Sequence, residues 1–333
     1  MAKYNIAISL GCTNTRILKT GVGVVLNEPT LLLLDLNSKK NPVLAVGDDI
    51  KNIHNKTASM QCVSPVKNGN IVNKEYAKTM LNKFLEKVGE KKFFRGSLLW
   101  LTPTSLSEND KNEYVNLGYS LGYKNVSILP SAVAGFQELE IDMDNRHAHM
   151  LVDIGGGCTD VSVVVRGKVL QGCTAGIGGR DVDSSIVNLL NDAFETKISL
   201  EKAKEIKESV NTILPNDQLG CNVMIVDEFG AGSELAISAR ELRDVYLTFF
   251  MKVCNCITSV INMCPNEIVA DINKTGIYLC GGLANFTGLD KFIRSKIGIP
   301  VYAVERPEFT SMFGCEKLFN EPEKLSHLVT LNS

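Results

Sequence analysis

Residues 8–17 read ISLGCTNTRI and residues 152–161 read VDIGGGCTDV. Each is an apolar strand, a glycine turn carrying Cys-Thr, and a polar residue that leads into a second apolar strand. A glycine turn at the end of a strand can aim backbone N–H groups at an anion with no Cβ in the way. Both segments are therefore candidate phosphate loops, and a third turn, residues 281–284 in LCGGLANF, follows another apolar strand. Together the three would clamp a phosphate chain from both sides, whereas one such turn alone commonly does no more than connect strands. The two copies differ at one telling position, because Asp153 stands where the first copy has Ser9. A carboxylate at the end of a strand, facing phosphates, can hold Mg²⁺ through water; the competing role for Asp153 is a turn cap. Asp160 is a second carboxylate beside the same turn.

The elements that must position these turns follow from patterning. YNIAISLG, TRILKTG and GVVLNEPTLLLLDL are rich in β-branched and aliphatic residues with glycine punctuation, which predicts a meander. In residues 73–90, Tyr76, Met80, Leu81, Phe84, Leu85 and Val88 recur at helical spacing, predicting an amphipathic helix that stops at a glycine. SLLWLTP reads as a buried strand, SENDKNEYVNLGYSLGY as a helix with an acidic first turn, and NVSIL as a further strand. This strand–helix–strand rhythm implies a parallel sheet covered by helices. The pattern restarts at MLVDIGGGCTDVSVVVRGKVL. Helices follow over DVDSSIVNLLNDAF and SLEKAKEIKESV, the latter with Ser199 as cap, then a polar excursion at 215–234 and a long helix from 238 to 264. Two halves that open on the same glycine hairpin indicate a duplicated fold with a nucleotide cleft.

Composition bounds the function. With 333 residues, 44% hydrophobic and 22% charged, the chain is globular and long enough for two cores. A net charge of −2 gives no global pull toward nucleic acid. No apolar run approaches a membrane span and MAKYNIAISL lacks a signal-peptide core, so the expected location is the cytoplasm. The ten cysteines are scattered without metal spacing and read as reduced, buried thiols.

LVDIGGGCTDVSVV together with GIYLCGGLANFTGLDKFI resembles the phosphate and adenosine motifs of the actin, heat-shock chaperone and sugar kinase superfamily. Within it the chain is similar to the MreB/Mbl family of bacterial actins, which form cell-shape filaments. VVLNEPTLLLL, AVGDDIKNIHNKT, SPVKNGNIV, GIGGRDVDSSI, ISARELRDVY, PNEIVADINKTGIYLCGG and GIPVYAVERPEFTSMFG match it in order, over nearly the whole chain. The resemblance implies an α/β, actin-like duplicated fold. Two lobes, each with a five-stranded mixed sheet flanked by helices, would carry two small subdomains. Residues 1–32, 73–146 and 316–333 would form the first large subdomain, 33–72 the first small one, 147–182 with 246–315 the second large one, and 183–245 the second small one. It implies ATP and Mg²⁺ as cofactors, with Gly11, Cys12, Thr13 and Asn14 as the first phosphate loop and Gly155, Gly156, Gly157 and Cys158 as the second. Gly178, Gly179, Lys204 and Lys207 would approach the nucleoside, and Gly281, Gly282, Leu283 and Ala284 would lie under the adenosine. From the residues alone Lys207 is equally a solvated helix face. Asp153 would position metal and phosphate, the metal through water.

The same resemblance implies self-assembly into filaments on the inner face of the cytoplasmic membrane, cell-wall or shape machinery as partners, and no nucleic acid. Phe93 and Phe94 in GEKKFFRG would be the membrane loop, with three basic residues around them; the alternative is a hydrophobic staple under the preceding helix. Three departures stand out. The family usually has Asp at Ser9 and Glu near Pro130, and it tends to have Glu at Lys204. Loss of carboxylates that orient metal and water implies weak ATP hydrolysis, with Asp160 as a possible substitute. A metabolic kinase or a non-polymerising nucleotide-binding regulator of the same fold are the alternatives.

Overall fold

A computed structural model describes residues 4–331 apart from 39–41, 55–56, 93–94, 143–144, 195–197 and 227–231. The chain divides into two compact units, Met1–Arg146 with Ser162–Gly176 and Phe309–Ser333, and His147–Val161 with Ile177–Glu308.

The first unit is organised on a six-stranded sheet in the order Thr330–Leu331, Asn125–Pro130, Ser97–Thr102, Ile6–Leu10, Asn14–Lys19, Gly23–Pro29. Its last three strands are the antiparallel meander expected from the glycine punctuation. Ser97–Thr102 runs parallel to both of its neighbours and is buried at every residue, as an apolar strand covered on both faces must be. Thr330–Leu331 adds an antiparallel edge strand to the five expected. The meander also stops sooner than its run of leucines suggests. The third strand ends at Pro29, which has no N–H for a ladder, and Leu32–Asp35 pairs instead with Val43–Val46 and Met60–Val63 in a small separate sheet. Leu33, Ala45 and Ile50 form a core of their own there.

Helix Lys74–Lys87 is capped by Asn73, whose side chain accepts from the Tyr76 N–H, and it buries Ala77, Met80, Leu81, Phe84 and Leu85. Helix Glu108–Ser120 starts at a capping box between Ser107 and Asp110. Helix Ser131–Glu138 crosses Thr310–Phe319 so closely that a Cβ at Gly314 would strike the Ala134 carbonyl.

In the second unit His149–Ile154, Ile277–Cys280 and Val301–Ala303 are parallel neighbours. They belong to a five-stranded sheet in the order Lys168–Ala175, Thr159–Val165, His149–Ile154, Ile277–Cys280, Val301–Ala303. Helix Leu200–Ser209 has the expected Ser199 cap. The polar excursion is a hairpin, Gly220–Val226 against Gly232–Ser238. It escapes periodicity because most of its second strand is exposed. Helix Ala239–Asn262 has 24 residues and is long and apolar enough to cross a membrane by composition. One face of it, including Leu242, Tyr246, Phe250, Val253 and Ile257, is spent on the core of this unit.

Candidate functional site

The two glycine hairpins close by the same bond. Gly11 N–H donates to the Asn14 carbonyl at 3.2 Å, and Gly155 N–H donates to the Cys158 carbonyl at 2.9 Å. Each bond spans three residues and pulls the turn so tight that a Cβ would lie 2.7 Å from the Asn14 oxygen in the first and 3.1 Å from the Cys158 oxygen in the second. A side chain is thus excluded sterically at Gly11 and crowded at Gly155.

In the first unit the Thr13 carbonyl is fixed by the Thr30 N–H at 2.8 Å, and the buried Cys12 sulfur accepts from the Gly69 N–H at 3.1 Å. Asn14 Nδ2 donates to Asn27 Oδ1 at 2.9 Å. The Thr13 hydroxyl is buried and has no hydrogen-bond partner among the described residues. An orphaned hydroxyl costs stability unless a ligand satisfies it. Ser9 and Pro130 both lie toward the C-terminal ends of parallel strands, with Ser97–Thr102 between their strands. Strand spacing puts them roughly 9–10 Å apart laterally, on the sheet edge where ligands of α/β folds bind. Pro130 is also the residue from which helix Ser131–Glu138 starts, and its ring has no hydrogen-bonding group.

The second unit gathers more of the expected residues. Asp153 pairs in register with Cys280, and its carboxylate lies where a Cβ on Gly281 would collide with it. Gly281 has φ +85° and donates to the Pro307 carbonyl at 2.8 Å. Burial pushes the Cys280 thiol pKa well above its ordinary value, and the charges of Asp153 and Asp160 push it further. Leu283 and Ala284 are buried in a short 3₁₀ turn, Gly282–Asn285, while Gly282 faces open space. Gly178 packs onto the phosphate turn itself: a Cβ there would lie 2.6 Å from the Gly157 nitrogen and 2.8 Å from the Cys158 nitrogen. Gly179 N–H donates to the Gly155 carbonyl at 3.0 Å and Arg180 N–H to the Gly156 carbonyl at 2.7 Å, tying helix Gly179–Phe194 to the turn. The first turn of that helix thus lies against the glycines, an arrangement that favours anions.

Lys207 is not a solvated face. Its side chain and that of Asp183 are each 8% exposed, and Lys207 Nζ lies 2.6 Å from Asp183 Oδ1 and 3.0 Å from the Gly179 carbonyl. Burial lowers the Lys207 pKa and raises that of Asp183, each effect opposed by the partner's charge. Sequence reasoning missed Asp183. Its one signal is a carboxylate four residues after Gly179, one helical turn along. Lys204, by contrast, has a side chain that is 46% exposed, with its ammonium 3.7 Å from Glu208 and its charge acting on Asp183.

Phe93 and Phe94 lie outside the described residues. Of the basic residues around them, Arg95 does not face solvent. It is 3% exposed and donates to the Leu121 carbonyl, to Asn82 Oδ1 at 3.1 Å and to the Glu90 carbonyl at 3.3 Å. Glu90, which would oppose an anionic surface, pairs with Lys19 at 3.0 Å. The exposed basic pair is Lys91 and Lys92. Among the described residues no group of three or more His, Cys, Asp or Glu side chains could hold a metal directly.

The MreB/Mbl protein family model matches residues 3–327. The cell shape-determining protein Mbl of Bacillus subtilis is 26% identical over 330 residues, covering 98% of each chain. Cell shape-determining protein MreB of Escherichia coli is 26% identical over 318 residues, covering 92% of this chain and 90% of its own. Among solved structures, MreB5 of Spiroplasma citri bound to AMPPNP superposes with a TM-score of 0.88 at 23% identity over 97% of both chains. The MamK double helical filament gives 0.78 at 15% identity, over 95% of this chain and 98% of its own. The fold is actin-like, and the chain belongs to the MreB/Mbl family of cell shape-determining proteins.

Proposed function

We propose that this chain binds ATP with Mg²⁺, polymerises into filaments attached to the cytoplasmic face of the membrane, and hydrolyses its nucleotide weakly. The observation that carries the nucleotide reading is the second-unit cluster, where turn 155–158, the Gly178–Gly179 helix start and turn 281–284 converge around Asp153 and Lys207. The first turn supports it with the unpartnered Thr13 hydroxyl. In this reading Gly155, Gly156, Gly157 and Cys158 present N–H groups to phosphate oxygens, as do Gly11, Cys12, Thr13 and Asn14. Gly281, Gly282, Leu283 and Ala284 support the adenosine. Mg²⁺ when bound would neutralise phosphate charge; Asp153 would orient its water, with Asp160 behind it. Relatives of the fold include a Spiroplasma citri MreB5 crystallised with ADP and with AMPPNP, and a MamK filament. The division into two large and two small subdomains, with the boundaries given above, belongs to this reading.

Membrane attachment rests on Phe93 and Phe94 with Lys91 and Lys92. Inserting two Phe side chains contributes about 3–6 kcal/mol, and two lysines near an anionic leaflet about 1 kcal/mol each. Ordering costs leave a single copy weakly bound, and a filament attaches through many copies at once. Sedimentation with and without ATP tests assembly. Filaments should pellet with ATP, whereas a chain that binds ATP and stays in the supernatant is a non-polymerising nucleotide binder. Co-flotation with anionic vesicles, lost on replacing Phe93 and Phe94 by Ser, tests the loop; flotation unchanged by that replacement makes it a packing staple.

A further inference from the structure

Asp183 and Lys207 come from successive helices, Gly179–Phe194 and Leu200–Ser209, and form an ion pair shut away from water. Burying two charges is costly unless geometry is good and the remaining donors are used. An ammonium has three donors. Here Asp183 Oδ1 takes one at 2.6 Å and the Gly179 carbonyl a second at 3.0 Å. Among the described residues these are the acceptors recorded for Lys207. The ammonium also stands at a junction. The point a Cβ on Gly179 would occupy is 3.0 Å from Lys207 Nζ, 2.9 Å from Leu283 Cδ1 and 3.5 Å from Gly156 Cα. Turn 155–158, the helix start and turn 282–285 therefore come together at Gly179, beside the Lys207 ammonium.

The geometry points to Asp183 as a positioning residue of the nucleotide site: its carboxylate holds the Lys207 ammonium against the Gly179 carbonyl and leaves the third N–H for an oxygen acceptor on the nucleotide. This rests on the nucleotide reading above. Asp183 also keeps the lysine charged. The groups facing the pair are Lys204 and Glu208 on the lysine's own helix and Tyr246 from the long helix beside Asp183, with Cys221 of the hairpin next to Tyr246. Burial is the largest influence on Lys207 and favours its neutral form, while Asp183 is the strongest group opposing it. Without that carboxylate the ammonium should lose its proton at lower pH.

The test is calorimetric titration of the full chain with ATP·Mg²⁺ between pH 7.5 and 9.5. Wild type sets the reference profile, in which a fall of affinity with rising pH reports loss of the Lys207 proton. Asp183→Asn should bind about tenfold more weakly at the low end and weaken further at lower pH than wild type does, and Asp183→Glu should restore the wild-type profile. If the Asn variant does not fold, the double variant Asp183→Leu/Lys207→Met removes both charges at similar volume. It should melt near wild type yet bind about tenfold more weakly. Wild-type affinity and profile in Asp183→Asn, a pH-independent loss that Asp183→Glu does not rescue, or wild-type binding by the double variant would each overturn the inference while leaving nucleotide binding intact. A wild-type chain that binds no ATP would overturn the functional reading and this inference with it.

Discussion

The two glycine hairpins share a sequence and a closing hydrogen bond but are supported differently. The second is packed against backbone: Gly178 presses on Gly157 and Cys158, and the Gly179 and Arg180 N–H groups donate into the turn. The first is held at its edges, by Thr30 on Thr13 and by Gly69 on the Cys12 sulfur, and it keeps a buried hydroxyl with no partner among the described residues. Duplication thus preserved the local geometry, which depends on a bond spanning three residues, and let the supports diverge. The second turn is built as a fixed anchor with its carboxylate, Asp153. The first carries Ser9 in place of that carboxylate, and its buried Thr13 hydroxyl is one that a ligand can satisfy.

The largest effect should come from breaking the anchor. In Gly178→Ala the new methyl would press on backbone nitrogens 2.6 and 2.8 Å away, and neither can move without opening the turn. Overpacking against backbone of this kind costs about 3 kcal/mol, so ATP affinity should fall on the order of 100-fold. Gly282→Ala, where nothing lies within 4 Å, should change affinity by no more than about twofold. Equal losses at both positions in a nucleotide titration would show that glycine flexibility rather than close packing matters here. Between these extremes Gly11→Ala, at 2.7 Å from the Asn14 oxygen, should cost more than Gly155→Ala, at 3.1 Å from its counterpart. The reverse order would mean that the two turns close differently with nucleotide bound.

The carboxylate supplies the next contrast. Asp153→Ala should weaken ATP binding about 10- to 100-fold in Mg²⁺, the range expected for a hydrogen bond to a charged group, and change it little in excess chelator. Ser9→Ala should be nearly silent in both conditions. A chelator-independent loss in Asp153→Ala would make Asp153 a turn cap, since its carboxylate would then be acting on the protein and not through the metal.

What could be read from the sequence follows the range of the interactions. The twin turns, the Ser199 cap and the buried stripe of helix Lys74–Lys87 are local and were legible. The Asp183–Lys207 pair was not, because its members are 24 positions apart and each looks solvated among neighbouring charges. Arg95 misled for a related reason: it sits in a basic run, yet its guanidinium caps the Leu121 carbonyl inside the first unit. The departure of Leu32–Asp35 into its own sheet was signalled only by Pro29. The edge strand Thr330–Leu331 is too short for any alternation to reveal it.

The smallest expected effect is a gain. Ser9 lies on strand Ile6–Leu10 beside Leu101, and Pro130 ends the parallel strand beyond, next to Thr102. In phosphoryl transfer to water the protein contributes by positioning the metal and orienting the attacking water, and removing one such group slows turnover without abolishing binding. A serine hydroxyl can donate or accept one hydrogen bond but carries no charge for a hydrated cation, and the Pro130 ring can orient nothing. Ser9→Asp should therefore raise ATP-driven phosphate release several-fold under assembling conditions, on the order of the 0.5–1.5 kcal/mol that a single hydrogen bond supplies net. Adding Pro130→Glu should raise it further, provided helix Ser131–Glu138 still starts at that residue, which its circular dichroism and melting temperature report. The reason to expect a modest rise is that the first turn is held at its edges, by the Thr30 and Gly69 N–H groups, and its support for a new carboxylate is correspondingly looser. Unchanged release in both variants would assign the slow step to the second hairpin, and a wild-type rate already equal to that of a relative with both carboxylates would show that Asp153, with Asp160 behind it, suffices.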